Sequence, residues 1–402
     1  MSLESLREEI LGVDVFDTHT HLNNPGVPIA ARDFWDIAHY FWFLRELVAA
    51  GYPANAADLP EKERIEAFIQ AFHATKNTAM NWVVRHVFSE LYKREISDAA
   101  SVRAANEAVT ETSKQPDWPR EVLDRLAIRR IVTNSSQTAS LPGLPGVGCA
   151  VPSGAGADFR KLRKQVLAAP GQKGAARQAA AEIAEAVDKL AAAGVRGARA
   201  DAGPFERLGA AAYQLPEEIP ASGASEDQIE ALLANALFAA LAAHGMFAQF
   251  FLGIRPGTGR IAVPLNDTAR VPNLHGLFAR HPQCGFELVL GAELGNLDAV
   301  QAALVFENVF VGGMWWYNFR PSTYRQSMQY RLEALPPSKC SIVASDARCV
   351  EWCFGKILLI KYLLAEFLDG QIQRGWLDRD GALRVAREWL HDAAARRYGS
   401  SA

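Results

Sequence analysis

His19 and His21 stand two positions apart in "VFDTHTHL" (residues 15–22), and imidazoles at that spacing can hold a divalent cation. In an extended chain alternate side chains share a face, so Val15, Asp17, His19 and His21 point one way and Phe16, Thr18, Thr20 and Leu22 the other. Both rings can then reach one ion, although the same spacing also suits solvated loop histidines or structural donors. Asp17 reads as a structural carboxylate rather than a ligand. Far downstream, "SIVASDARCVEW" puts Asp346 at the end of an apolar run, where its carboxylate either supplies a third ligand or caps the helix that follows. Two histidines and a carboxylate leave a coordination position open, which is the pattern of a catalytic metal: it polarises substrate oxygens or activates water.

For these three residues to meet, the first and last strands of a sheet must lie side by side. Periodicity and turn signals give eight strands, near 15–22, 128–135, 147–152, 197–202, 246–252, 285–290, 308–315 and 340–346, with helical patterns between them. Such alternation predicts a (β/α)8 TIM barrel, in which the eighth strand closes on the first and the site sits at the C-terminal strand ends. Residues 33–126 read as a helical insertion after the first strand, and helices over 351–370 and 380–398 as C-terminal additions to one barrel domain spanning 1–402. An open doubly wound sheet is the rival, but no Gly-rich phosphate loop follows the first strand.

The chain has 402 residues, a formal charge of −3 and mixed signs throughout, which gives no footprint for nucleic acid or another polyanion. Five cysteines form no C-x-x-C pair and lie mostly in apolar contexts, as in a reduced, cytoplasmic protein. "MSLESLREEI" has no apolar signal core, and "ILLIKYLLAEFL" is interrupted by Lys361 and Glu366, so neither export nor a membrane span is expected. The Trp-rich helical insertion leaves a homo-oligomer open.

"DTHTHL" and "SDAR" together resemble the opening and closing strands of the amidohydrolase superfamily, and further stretches resemble its uronate (glucuronate) isomerase branch. "AHYFWFLR" is similar to that family's aspartate-His-Tyr-Lys-Trp-Arg segment, at His39, Tyr40, Trp42 and Arg45. "NTAMNWVVR" resembles a later helical motif through Trp82, and "GGMWWYNF" a strand-7 run through Gly312, Trp315, Trp316, Tyr317 and Asn318. The resemblance implies interconversion of a hexuronate aldose, glucuronate-like or galacturonate-like, with its ketose. It implies one divalent metal, Zn or Mn, on His19, His21 and Asp346, with Asp346, Tyr40 and His39 catalytic. Arg348, His39, Tyr40 and Trp315 are then substrate contacts.

The chain also departs from that pattern. "VPSGAGAD" lacks the family's strand-3 arginine, "RADAG" keeps Asp201 but has Ala202 for a histidine, and "QFFLG" has Phe251 for another. A binuclear centre is therefore not expected, since "ARADAG" offers no bridging lysine and the fifth strand no histidine. "EWCFGKIL" is a shortened version of a basic run after strand 8. Arg199, Arg255 and Arg320, near expected strand ends, are candidates for a relocated carboxylate clamp. The same ligands also suit a single-metal hydrolase or decarboxylase of another small carboxylate, and a barrel that only binds a sugar acid is a third reading.

Overall fold

A computed structural model describes residues 3–22, 27–133, 149–150, 159–201, 219, 223–256, 262–264, 269–293, 295–315 and 319–398. Seven short parallel strands carry the architecture: β1 (Val15–Thr20), β2 (Ile128–Thr133), β3 (Cys149–Ala150), β4 (Gly197–Asp201), β5 (Phe247–Leu252), β6 (Gly285–Leu290) and β7 (Val309–Met314). β1 pairs with β2 and β2 with β3, while β4, β5, β6 and β7 form a second run. The extended segment 340–347 joins the two runs through parallel bridges, Cys340 to Val311 of β7 and Ala347 to Thr20 of β1. The order from β4 round to β3 is thus that of an eight-stranded α/β barrel; no pairing of β3 with β4, the last seam, is found among the described residues. A small antiparallel hairpin, Ile254–Pro256 with Ala262–Pro264, follows β5.

All six residues of β1 are buried although four of them are polar, and the neighbouring strands supply partners for the two threonines. Thr18 Oγ1 donates to Val343 O at 2.8 Å and Thr20 Oγ1 to Val132 O at 3.1 Å. A buried hydroxyl without an acceptor would oppose folding, so these bonds are what allow the strand to sit between neighbours on both edges. At the seam between β7 and segment 340–347 the backbones close up on Gly313, where an added Cβ would stand 2.5 Å from Ala344 Cβ. No side chain fits there.

Between β1 and β2 lie the helices Phe34–Ala38, Phe41–Ala49, Glu61–Ala74, Ala79–His86 (running on through Leu91), Ala99–Thr112 and Trp118–Asp124. They dock on the long C-terminal helix Val350–Gln373. Its Gly355 faces Val83 and Val87 so closely that a Cβ would lie 2.6 and 2.7 Å from their methyls. Buried Glu351 ties the same helix to the insertion, accepting from Tyr92 OH (3.0 Å), Trp118 Nε1 (2.9 Å) and Ala31 N (2.9 Å). Lys361 closes a third junction by donating to Leu11 O, Val13 O and Leu126 O at 2.7, 2.7 and 2.9 Å. Among the described residues no helix is long and apolar enough to cross a membrane.

The short helix Ala393–Arg397 and Tyr398 after it plug the N-terminal mouth of the barrel. Tyr398 packs its ring 5.1 Å from Phe16 and 4.4 Å from Phe247, and its hydroxyl donates to Glu287 Oε2 at 2.9 Å. Glu287 also meets Arg397 at 2.9 Å and receives Gln249 Nε2 at 2.9 Å, so a hydrogen-bonded polar cluster occupies the lower interior. The opposite mouth is left for chemistry.

Candidate metal centre

At the C-terminal end of β1 the backbone delivers His19 inward and His21 one step beyond it. Segment 340–347 runs alongside, held by Thr18 N to Val343 O (3.2 Å), Asp346 N to His19 O (2.9 Å) and His21 N to Ala347 O (2.8 Å). This pairing sets Asp346 beside both imidazoles: its Oδ1 lies 2.9 Å from His21 Nε2 and 3.3 Å from His19 Nε2. Asp346 has φ +54°, a left-handed conformation that Asp tolerates better than most residues.

Asp17 holds the two ligand-bearing segments together, its Oδ1 accepting from Ser345 N at 2.9 Å and His19 N at 3.3 Å. It is therefore a strut between strands. Burial pushes its carboxyl up to about 6, against these hydrogen bonds, which lower it.

The electrostatics suit a cation. Burial, partly offset by Asp346, lowers His19 to about 4, so its ring is neutral and has a lone pair to offer at neutral pH. For Asp346 burial alone would raise the carboxyl, but the two adjacent imidazoles outweigh it and hold it well below the usual range. His19 Nε2 and Asp346 Oδ1 are buried without a well-aligned hydrogen-bond partner, and the ligating atoms of His19, His21 and Asp346 lie within 4.8 Å of one another. Closely grouped nitrogen and oxygen donors with unmet bonding capacity fit a single divalent ion.

The floor of the site is aromatic. Phe251 and Trp315 stand 4.5 and 5.8 Å from the His19 ring, and Arg199 lies 4.4 Å over the face of Phe251. Phe251 thus packs directly against the His19 ring.

Tyr40, from the start of the helix Phe41–Ala49, reaches across from the insertion. Its hydroxyl donates to Asp346 O at 2.9 Å and lies 3.5 Å from Asp346 Oδ2. Lys356 Nζ donates to that same hydroxyl at 2.8 Å and to Ser345 O at 2.6 Å. Burial drives the Tyr40 phenol well above its ordinary value, with Asp346 adding to it, so the group remains a proton donor. Lys356 is buried as well and lowered to about 8.

Lys356 was not singled out from the sequence: it is the one basic residue left in the shortened run "EWCFGKIL", and its ammonium reaches Tyr40 OH and Ser345 O. A lone lysine in an otherwise apolar helical run was the available signal, since burying an ammonium needs a specific partner.

Other expected residues are placed differently. His39 is turned away from the cluster, its Nε2 2.9 Å from Tyr52 OH and its ring 4.9 Å from Trp35; no described contact joins it to Asp346. Arg348 is exposed, with its guanidinium 5.3 Å from the Phe41 ring. Arg45 lies 4.6 Å over Trp42, and Trp82 stacks on His86 at 3.6 Å. The side chains of Arg255 and Asp201, together with Ala202, residues 153–158 and Trp316, Tyr317 and Asn318, lie outside the described residues.

No protein-family model matches the chain, and no curated protein matches it in sequence. Solved structures do. A uronate isomerase from Bacillus halodurans superposes with a TM-score of 0.74 at 15% identity, covering 100% of this chain and 98% of the other. A glucuronate isomerase from Caulobacter crescentus gives 0.76 at 14% identity over 100% and 95%. A structure described as a putative metal-dependent hydrolase from Lactobacillus casei gives 0.62 at 13% identity over 98% and 97%. Together with the strand order, these superpositions show that the chain has the α/β fold of the uronate isomerases.

Proposed function

We propose that this protein is a metal-dependent aldose–ketose isomerase acting on a hexuronate, glucuronate-like or galacturonate-like, in the cytoplasm. The observation that carries the reading is the meeting of Tyr40 with Asp346 at a two-histidine, one-carboxylate centre. His19, His21 and Asp346 would hold one Zn or Mn ion, which when bound supplies Lewis-acid polarisation to substrate oxygens.

The remaining chemistry belongs to side chains. Isomerisation moves a proton between C2 and C1, so it needs a base at carbon and a donor at oxygen. Asp346, held ionised, is the base. Tyr40, held protonated and 3.5 Å from Asp346 Oδ2, is the donor to the C1 carbonyl oxygen, and its phenolate then takes the proton of the C2 hydroxyl as Asp346 returns the carbon proton to C1. Lys356 stabilises charge on the phenol oxygen as the phenol proton leaves. Phe251 and Trp315 exclude water behind His19, which strengthens these interactions. His39 supports Tyr40 indirectly, by fixing the turn before its helix through Tyr52.

Metal-loaded protein incubated with glucuronate or galacturonate is expected to form the corresponding ketose, and a His19→Ala variant is not. Equal turnover by the two proteins would sink the proposal. A single-metal hydrolase or decarboxylase is the second reading, favoured by the likeness to the Lactobacillus casei structure. Exchange of the C2 hydrogen of a uronate with solvent separates the two, because only isomerisation requires it.

A further inference from the structure

A cavity of about 590 Å3 opens beside the metal centre, between the helical insertion and the segment that follows β7. Arg45, Arg320 and Lys356 line it, together with Trp42, Thr78 and one carboxylate, Glu46. Its volume falls within the ~300–1,000 Å3 usual for small-molecule sites. Lys356 belongs to both places: it lines the cavity and its ammonium touches the Tyr40 hydroxyl, which in turn touches Asp346. Lys356 and Tyr40 thus stand between the cavity and the Asp346 carboxylate.

The charge is unbalanced in favour of anions. Glu46 is already engaged, accepting from Thr78 Oγ1 at 2.5 Å and attracted by Arg320. Two cations remain in excess, Arg45 is only partly buried, and Arg320 is exposed at the rim. Trp42 carries Arg45 on its face, which fixes the guanidinium plane at the cavity wall.

We propose that this cavity is the carboxylate-recognition site of the enzyme, with Arg45 and Arg320 gripping the acid group of a sugar acid and Lys356 marking the boundary between recognition and reaction. An arginine fork suits a carboxylate in two-point contact, and two of them replace the strand-3 arginine that the sequence lacks. The proposal rests on the reading of the metal centre as the reacting end, but its test does not require turnover.

Titration calorimetry with the metal-loaded protein compares three probes: D-glucuronate, D-glucarate, which has no aldehyde to isomerise, and uncharged D-glucose. The two acids are expected to bind and glucose to bind far more weakly. Arg45→Gln and Arg320→Gln are each expected to weaken the acids by roughly 10- to 100-fold, the usual effect of losing one charged hydrogen bond. Metal content and glucose binding stay the same. Acids that bind no better than glucose, or that bind both variants as tightly as wild type, would overturn the proposal. If the acids depend on Arg45 and Arg320 but no ketose forms, the site stands and the isomerase reading falls. Ketose formation with acid binding indifferent to both arginines has the opposite meaning.

Discussion

The Tyr40 hydroxyl sits 2.9 Å from the carbonyl oxygen of Asp346, a residue 306 positions further along the chain. One partner comes from the helical insertion after β1 and the other from the last segment of the barrel. Removing that hydroxyl separates chemistry from folding. Tyr40→Phe keeps the ring packed 4.2 Å from Trp352 while Lys356 loses one acceptor, so stability should fall by about 1–3 kcal/mol. Loss of a positioned proton donor should lower kcat roughly 100-fold or more with little change in metal content. Denaturant melts and steady-state kinetics on the same preparation check both; an unchanged kcat would remove Tyr40 from the mechanism.

Metal dependence should follow the three ligands. Purified protein is expected to take up about one equivalent of Zn or Mn and to melt at a lower temperature once chelated, since an ion bound only by the folded state stabilises it. His19→Ala and Asp346→Asn should each abolish uptake. Asparagine is the informative replacement at 346 because it tolerates φ +54°, whereas alanine adds backbone strain to the loss of charge. Elemental analysis that finds a full equivalent in both variants would place the ion elsewhere.

Acid should destabilise the metal-free protein through its histidines. Burial lowers His19, His39 and His281 from 6.5 to about 4. Between those pH values the unfolded chain binds protons that the folded chain refuses. Stability is therefore fully present above about pH 6.5 and is lost as pH falls towards 4, with a slope of at most about 1.4 kcal/mol per pH unit for each group. Solvent screening reduces that slope at the partly exposed His281. His281→Gln, whose side chain can still reach Asn235, should give a flatter pH dependence of unfolding free energy than wild type. Parallel slopes for the two proteins would rule His281 out as a contributor.

Lys361→Met tests the junction of the N-terminal helix, the insertion and the C-terminal helix. It leaves three buried or partly buried carbonyls without their donor, and a loss of roughly 3 kcal/mol or more is expected. Chemical denaturation reads it directly. A neutral effect would mean that water replaces the ammonium.

Much of the barrel was legible because parallel strands buried on both faces read as short apolar runs between turn signals. Residues 340–346 were expected as a strand and lie where a strand should, hydrogen-bonded to β1 along the segment and bridged to its neighbours at Cys340 and Ala347. His19 and His21 were legible from alternation, and Asp346 from its place beside β1. Lys356 was not, because its importance depends on how the helix Val350–Gln373 is rotated against Tyr40, and local pattern carries no such information. The same limit hid Tyr398, whose contact with Gln249 spans 149 positions. For His39, sequence spacing could place the residue near Tyr40 but could not show that its ring turns towards Tyr52.

The bond from Ser345 N to Asp17 Oδ1 spans 328 positions, and that span sets a timetable for biosynthesis. A ribosome makes His19 and His21 more than 300 residues before Asp346, so the nascent chain displays two of the three candidate donors long before the third exists. A product that stops short of Asp346 cannot bring the three donors together, and they meet only after segment 340–347 has left the exit tunnel and zipped onto the first strand.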